Sequence, residues 1–198
     1  SDASGNNNTG ALQGGTTWLT NVSQCQSGSC VSLDGVNDLI QESITGALPN
    51  QGTVAVWALP TGFGGTRYIL GHTTQQSTGP YANRIQIYTD DSTGLLDIGL
   101  GDNHILATNI TQLTPNVWTH IALTWNNATY TAYVNGTQVS TGAYSGLNSL
   151  HPFLHLGNHG NSGDTQESFL GRLDEARVYN YPLTQTEVSQ LAGTPPPT

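Results

Sequence analysis

The sequence predicts an all-β fold of the sandwich or barrel type. Three observations carry the prediction. Strand-like runs return roughly every eight to twelve residues, separated by Gly-, Asn- and Asp-rich turns. Gly is abundant (24 residues) and only 9% of the chain is charged, a turn-rich β composition rather than a helical one. One stretch alone has the marks of a helix. Four Trp, eight Tyr and many β-branched residues argue against disorder. A chain of 198 residues fits one large domain, since β-sandwiches reach this size undivided, and it is long enough to bury a core.

Residues 1–10 form a polar, Gly/Asn-rich leader of the kind that frays unless it is tied down. Val31-Ser32-Leu33-Asp34 and Leu39-Ile40-Gln41-Glu42-Ser43-Ile44 read as two strands joined at Gly35-Val36-Asn37-Asp38, whose polar residues are turn chemistry. Thr53 to Ala58 is a strong strand ended by Pro60. Arg67–His72, Arg84–Tyr88, Leu95–Leu100 and Ile105–Thr108 follow as strands, with a loop over Thr73–Pro80. Trp118–Trp125 and Thr129–Gln138 make a hairpin across Asn126-Asn127-Ala128, and Asn135-Gly136 is a further tight-turn signal. Phe153–Gly157 is a strand, and Asn158–Ser168 is a long polar loop. Leu170–Tyr179 is the last strand. Thr184-Gln185-Thr186-Glu187 is a capping box, Val188 and Leu191 give the helix an apolar side, and Gly193 stops it. The domain therefore spans residues 1–193. Residues 194–198, rich in Pro, read as the start of a stiff linker to another module.

The net charge is −9, with no Lys and four Arg. Nucleic acid and anionic membranes are excluded as partners by the lack of a basic patch. No apolar run reaches the roughly 20 residues of a membrane helix, so membrane insertion is not expected. No signal peptide is visible, as expected of a processed chain or an excised domain. Cys25 and Cys30, the only cysteines, flank a plausible turn and read as a disulfide, hence a secreted or cell-surface location. Five Asn-x-Ser/Thr sequons, at Asn7, Asn21, Asn109, Asn127 and Asn135, are about the number this composition produces by chance.

Leu170-Gly171-Arg172-Leu173-Asp174-Glu175-Ala176-Arg177-Val178-Tyr179-Asn180, followed by Pro182-Leu183-Thr184, resembles the closing strand of laminin G-like, concanavalin A-like jelly-roll domains. Asp2-Ala3-Ser4-Gly5-Asn6, the Leu33–Asp38 run, Trp118–Trp125 and Tyr133-Val134-Asn135-Gly136 are similar to earlier landmarks of that family, in the family's order. The resemblance implies a two-sheet antiparallel β-sandwich with a jelly-roll topology and one short C-terminal helix. It also implies a structural Ca²⁺ site joining the leader to the closing strand, with Asp2, Asn6 and Asp174 as ligands and backbone oxygens near Asn8. The residues agree on one point. Period-two alternation sends Asp174 and Glu175 to opposite faces, so at most one carboxylate points inward, and an inward one needs a cation in a chain short of basic residues. Leu173 and Val178 suit the core.

Three further sets bear on function. The Asn158–Ser168 loop is long for a sandwich connection and sits where the related pentraxins hold part of a ligand-binding Ca²⁺ site; Asn158, Asn161, Asp164 and Glu167 are its oxygen donors. Aromatic rings stack on the apolar faces of sugars; Trp57 and Trp118 are expected in the core, and Tyr81, Tyr130 and Tyr144, at loop edges, are the candidates for a sugar platform. His151 and His155 share a strand face but lie too far apart for one zinc. Catalysis is not expected: the paired carboxylates of Glu-x-Asp-x-Glu are missing, as is a Gly-x-Ser-x-Gly elbow. Arg84 and Tyr88 on one strand face are the sole hint of lyase chemistry. The expectation is a non-catalytic carbohydrate-binding or adhesion module of a secreted or surface protein, with a glycan as its partner. The alternative is a structural or protein-interaction domain such as a fibre subunit, with a protein partner.

Overall fold

The computed structural model describes residues 4–73, 82–90, 93–159 and 167–193, apart from the side chain of His104. These form β1 (Ala11–Gln13), β2 (Thr17–Leu19), β3 (Cys30–Asp34), β4 (Leu39–Ser43), β5 (Gln51–Pro60), β6 (Arg67–His72) and β7 (Arg84–Thr89). The chain continues through β8 (Leu96–Gly101), β9 (Asn103–Ala107), β10 (Thr119–Asn126), β11 (Thr129–Val134), β12 (Thr137–Ala143), β13 (Phe153–Leu156) and β14 (Leu170–Tyr179) to α1 (Gln185–Gly193). Among the described residues there are two sheets of seven strands. Sheet one runs β1-β4-β13-β6-β7-β8-β9, and sheet two runs β12-β11-β10-β5-β14-β3-β2. Neighbours within each sheet pair antiparallel.

Alternation places the core between the sheets. Val54, Val56, Ala58, Ile121 and Leu123 of sheet two meet Leu70, Ile87, Ile98, Leu154 and Leu156 of sheet one, all buried. Gly52 is required here by close approach, because any Cβ would overlap the indole of Trp125. That indole is fixed by donating from Nε1 to the Pro49 carbonyl at 3.0 Å. The opposite face of sheet two carries a second cluster. Ala55, Ala122 and Tyr133 lie under Leu183 and Val188, so α1 covers this face. The capping box forms as the sequence predicts: Glu187 N–H donates to Thr184 Oγ1 (3.3 Å), and Thr184 N–H donates to Glu187 Oε2 (2.8 Å). Among the described residues no helix is long and apolar enough to cross a membrane.

The structure adds to the expected strands and corrects some assignments. Three-residue strands β1 and β2 form just after the polar leader, where no strand is expected. The expected Thr129–Gln138 strand is two strands. Asn135 (φ +49°) and Gly136 (φ +76°) both take left-handed backbone, the two-residue hairpin turn that Asn-Gly favours, and β12 follows. Trp57 is buried, but on the outer face of sheet two, where its ring meets His120 edge-on at 5.3 Å. Trp118 is half-buried and precedes β10 rather than joining the core. His151 likewise precedes β13, so it does not share a strand with His155.

Candidate functional site

The site is built on β14. Its pairing with β5 is regular from Gly171 to Asp174, breaks, and resumes at Arg177 opposite Ala55. The break is a bulge at Glu175, whose φ of +49° is left-handed backbone that a non-glycine residue adopts at a cost of about 1–3 kcal/mol. The bulge cancels the expected alternation of Asp174 and Glu175. Glu175 Oε2 accepts from Arg177 Nη2 at 2.8 Å. Asp174 lies opposite Trp57, on the outer face of sheet two.

Asp174 is 7% exposed. Backbone amides of the disulfide loop and the bulge, rather than a basic side chain, meet its carboxylate: Ser27 N–H donates to Oδ2 at 2.8 Å and Glu175 N–H to Oδ1 at 2.9 Å. Cys25 and Cys30 form the expected disulfide. Arg172 Nη1 clips the same loop by donating to the Gln24 carbonyl at 3.1 Å. Burial pushes the Asp174 carboxyl above its ordinary range, against the pull of the Ser27 and Glu175 amides.

Strand β3 pairs with β14 only as far as Leu173. Beyond that point β14 forms one wall of an open groove of about 940 Å³. The other wall is the N-terminal segment with Ser4, Asn6 and Asn8, together with Glu42, Ser43 and the 44–47 turn that follows β4. Trp18 and Tyr181 line this groove and are 54% and 43% exposed. Tyr179 packs edge-on against Tyr181 at 5.7 Å. Sequence reasoning did not single out Trp18 or Tyr181. The available signals were Trp18 set among Thr16, Thr17, Leu19 and Thr20, and Tyr181 just before Pro182.

The structure brings Asn6, Asn8 and Asp174 to this one groove; Asp2 lies outside the described residues. Asn8 Nδ2 donates to the Thr45 carbonyl at 3.4 Å. Among the described residues no three His, Cys, Asp or Glu cluster as a metal site. Tyr130 and Tyr144 are not a sugar platform. Both are buried in the main core, because each ring faces the opposing sheet, and burial raises the Tyr144 hydroxyl to about 12. Tyr81, Asn161 and Asp164 lie outside the described residues. Asn158 is fully buried and donates from Nδ2 to Ser168 Oγ at 3.3 Å, so it anchors the loop instead of presenting an oxygen to solvent. Glu167 Oε2 stands 3.7 Å from His159 Nε2.

Two face-to-face antiparallel sheets, short turns and an open groove at one edge define a concanavalin A-like jelly roll. Residues 34–189 match the family model described as the concanavalin A-like lectin/glucanases superfamily, and the chain belongs to that family. No curated protein sequence matches it. Among solved structures it is similar to domain 4 of AbnA, an extracellular arabinanase from Geobacillus stearothermophilus solved with arabinotriose. That likeness has 20% identity and a TM-score of 0.71, covering 96% of this chain and 91% of that one. It is also similar to a putative carbohydrate-binding protein from Bacteroides ovatus (18% identity, TM-score 0.58, 76% and 43% covered). A third is the Trypanosoma rangeli sialidase in complex with sialic acid (14% identity, TM-score 0.66, 82% and 27% covered). The match thus spans less than half of the latter two proteins. At these identities the likeness is one of fold.

Proposed function

We propose that the chain is a non-catalytic carbohydrate-binding or adhesion module of a secreted or cell-surface protein, with its glycan site in the groove between β14 and the N-terminal segment. One observation carries the reading. The exposed rings of Trp18 and Tyr181 share this groove with the amides and hydroxyls of Asn6, Asn8, Ser43 and Asn180. Sugars offer both surfaces such a groove needs: apolar C–H faces for rings, and hydroxyls for amide and carboxylate partners. The disulfide fits an oxidising, extracellular setting. The arabinotriose bound by the arabinanase domain suggests neutral pentose oligosaccharides as the first ligands to test. A protein partner is the second reading, favoured by the joint exposure of Trp18 and Val22 beside edge strand β2.

A structural Ca²⁺ ion belongs to the same proposal. The donors that Asn6, Asn8 and Asp174 offer are oxygens, the chemistry of a hard cation. Asp174 accepts from the backbone amides of Ser27, Glu175 and Gln26, and a carboxylate's roughly four lone-pair sites leave room for a metal beside them. Its raised pKa marks an anion that the backbone amides do not fully compensate. Asn6, Asn8 and Asp174 would hold the ion, and its charge would offset that burial.

A glycan array that includes arabinan oligosaccharides, run with Ca²⁺ and with chelator, tests the proposal. Binding that Trp18→Ala abolishes supports the groove. Binding unaffected by Trp18→Ala places the site elsewhere, and no binding under either condition favours the protein-partner reading.

A further inference from the structure

His72, the last residue of β6, is fully buried at the end of the sandwich. Above it passes the crossover 144–152, which carries the chain from β12 in sheet two to β13 in sheet one. Both ring nitrogens of His72 are engaged. Nδ1 lies 2.8 Å from the Asn83 carbonyl oxygen, and the His151 backbone N–H donates to Nε2 at 2.8 Å. A carbonyl oxygen only accepts and a backbone N–H only donates, so these two contacts fix a neutral ring protonated on Nδ1. Asn83 extends the arrangement: its Oδ1 accepts from the backbone N–H groups of Asn148 (2.7 Å) and Ser149 (3.3 Å). One imidazole thus ties the segment before β7 to the crossover.

We propose that His72 is the bolt of an acid-opened latch: a proton on Nε2 sets donor against donor at the His151 N–H and releases the His151 end of the crossover, while the sheets stay paired. The step is a proton transfer from solvent to Nε2, with no other bond made or broken than the hydrogen bond it displaces. The titratable and charged groups on the surrounding elements, chiefly the imidazoles of His151 and His155, disfavour the added charge and hold the opening to acid pH. They are Arg84 on β7, His151 on the crossover, His155 on β13, and Asp102 in the β8–β9 turn, whose Oδ1 accepts from the Asn83 N–H at a long 3.4 Å. His155 is also buried, and its Nδ1 has no hydrogen-bond partner among the described residues, so no nearby acceptor shares an added charge. Burial, reinforced by the neighbouring imidazoles, lowers both His72 and His155 to about 4. The latch is closed at neutral pH and opens in mild acid.

The test is an NMR pH titration of the intact chain. Ring-nitrogen spectra report the His72 tautomer; the His151 and Ser149 amides report the crossover; the Ile121 and Leu123 amides report the core. The expected result is one step between about pH 5 and 3.5 in which Nε2 gains its proton and the His151 amide shifts upfield, with core amides unchanged. His72→Gln, which can donate to Asn83 and accept from His151 without titrating, is expected to remove the step. If that variant does not fold, the wild-type titration alone decides. His72 neutral throughout, a His151 amide that does not respond, or loss of the Leu123 signal in the same step would each overturn the latch.

Discussion

The disulfide loop and Asp174 are predicted to stabilise the domain as one unit. The perturbation is removal of the bond by Cys25→Ala with Cys30→Ala, alone and combined with Asp174→Ala. The bond closes a loop with a sequence separation of 5, for which chain entropy gives about 2 kcal/mol. Asp174→Ala strips the acceptor from the Ser27 and Glu175 N–H groups, at about 1–3 kcal/mol for buried donors left without a partner. The two losses overlap. Once the bond is gone, the loop that presents Ser27 is no longer held, and Asp174 has less to lose. The combined variant is therefore expected to fall short of the sum by about 1 kcal/mol. Because a domain of this size moves about 2–4 °C in Tm per kcal/mol, the double-Cys variant should melt about 4–8 °C lower. Calorimetry in chelator, which removes any metal contribution, is the assay. An unchanged Tm in the double-Cys variant, or strict additivity with Asp174→Ala, refutes the reasoning.

Three further outcomes are expected. Gly71→Ala places a Cβ against the backbone of Asn158 and His159, which lies directly on sheet one. It should lower stability by about 1–3 kcal/mol yet leave groove binding intact; loss of glycan binding would instead favour the 158–168 loop as the site. His120 is 2% exposed, and burial, then Arg177, lowers its pKa to about 4 from an ordinary 6.5. The unfolded chain binds that proton first, so the stability is complete above the ordinary value and is lost as pH falls through it towards 4, by about 2 kcal/mol at pH 5. Thermal melts across that range should show a shallower decline for His120→Gln than for wild type, and parallel curves would exclude the effect. Chelation should lower Tm without changing the circular dichroism of the folded state, if the Asn6, Asn8 and Asp174 oxygens hold Ca²⁺; an unchanged Tm counts against the ion.

Much of the fold was legible because it rests on local signals. Thr53–Ala58 reads as a strong strand, Pro60 closes it, and Thr184 with Glu187 announces the helix that covers Ala55 and Ala122. Strands β1 and β2 were not legible: three residues each, in a polar setting, they exist only through pairing with β4 and β3. The bulge at Glu175 has no sequence mark, since Glu is a poor left-handed residue and the conformation is imposed by the strands around it. One partner of Asp174, the Ser27 amide, lies 147 positions away, beyond any spacing rule. Asp174 is buried, but on the outer face of sheet two rather than between the sheets, and the amides that meet it carry no side-chain signature. Tyr130 and Tyr144 were misplaced because loop-edge position says nothing about which way a ring turns. Tyr130 sits opposite Trp125 and faces the core with it.

The most direct test of the central claim is NMR shift mapping with an arabinan oligosaccharide or the strongest array ligand. The account predicts perturbation of the Trp18 indole N–H and of amides at 42–46 and 175–181, the two walls of the groove. Perturbation confined to Tyr68, Tyr88 and the 158–168 loop, with the Trp18 indole unmoved, would contradict it.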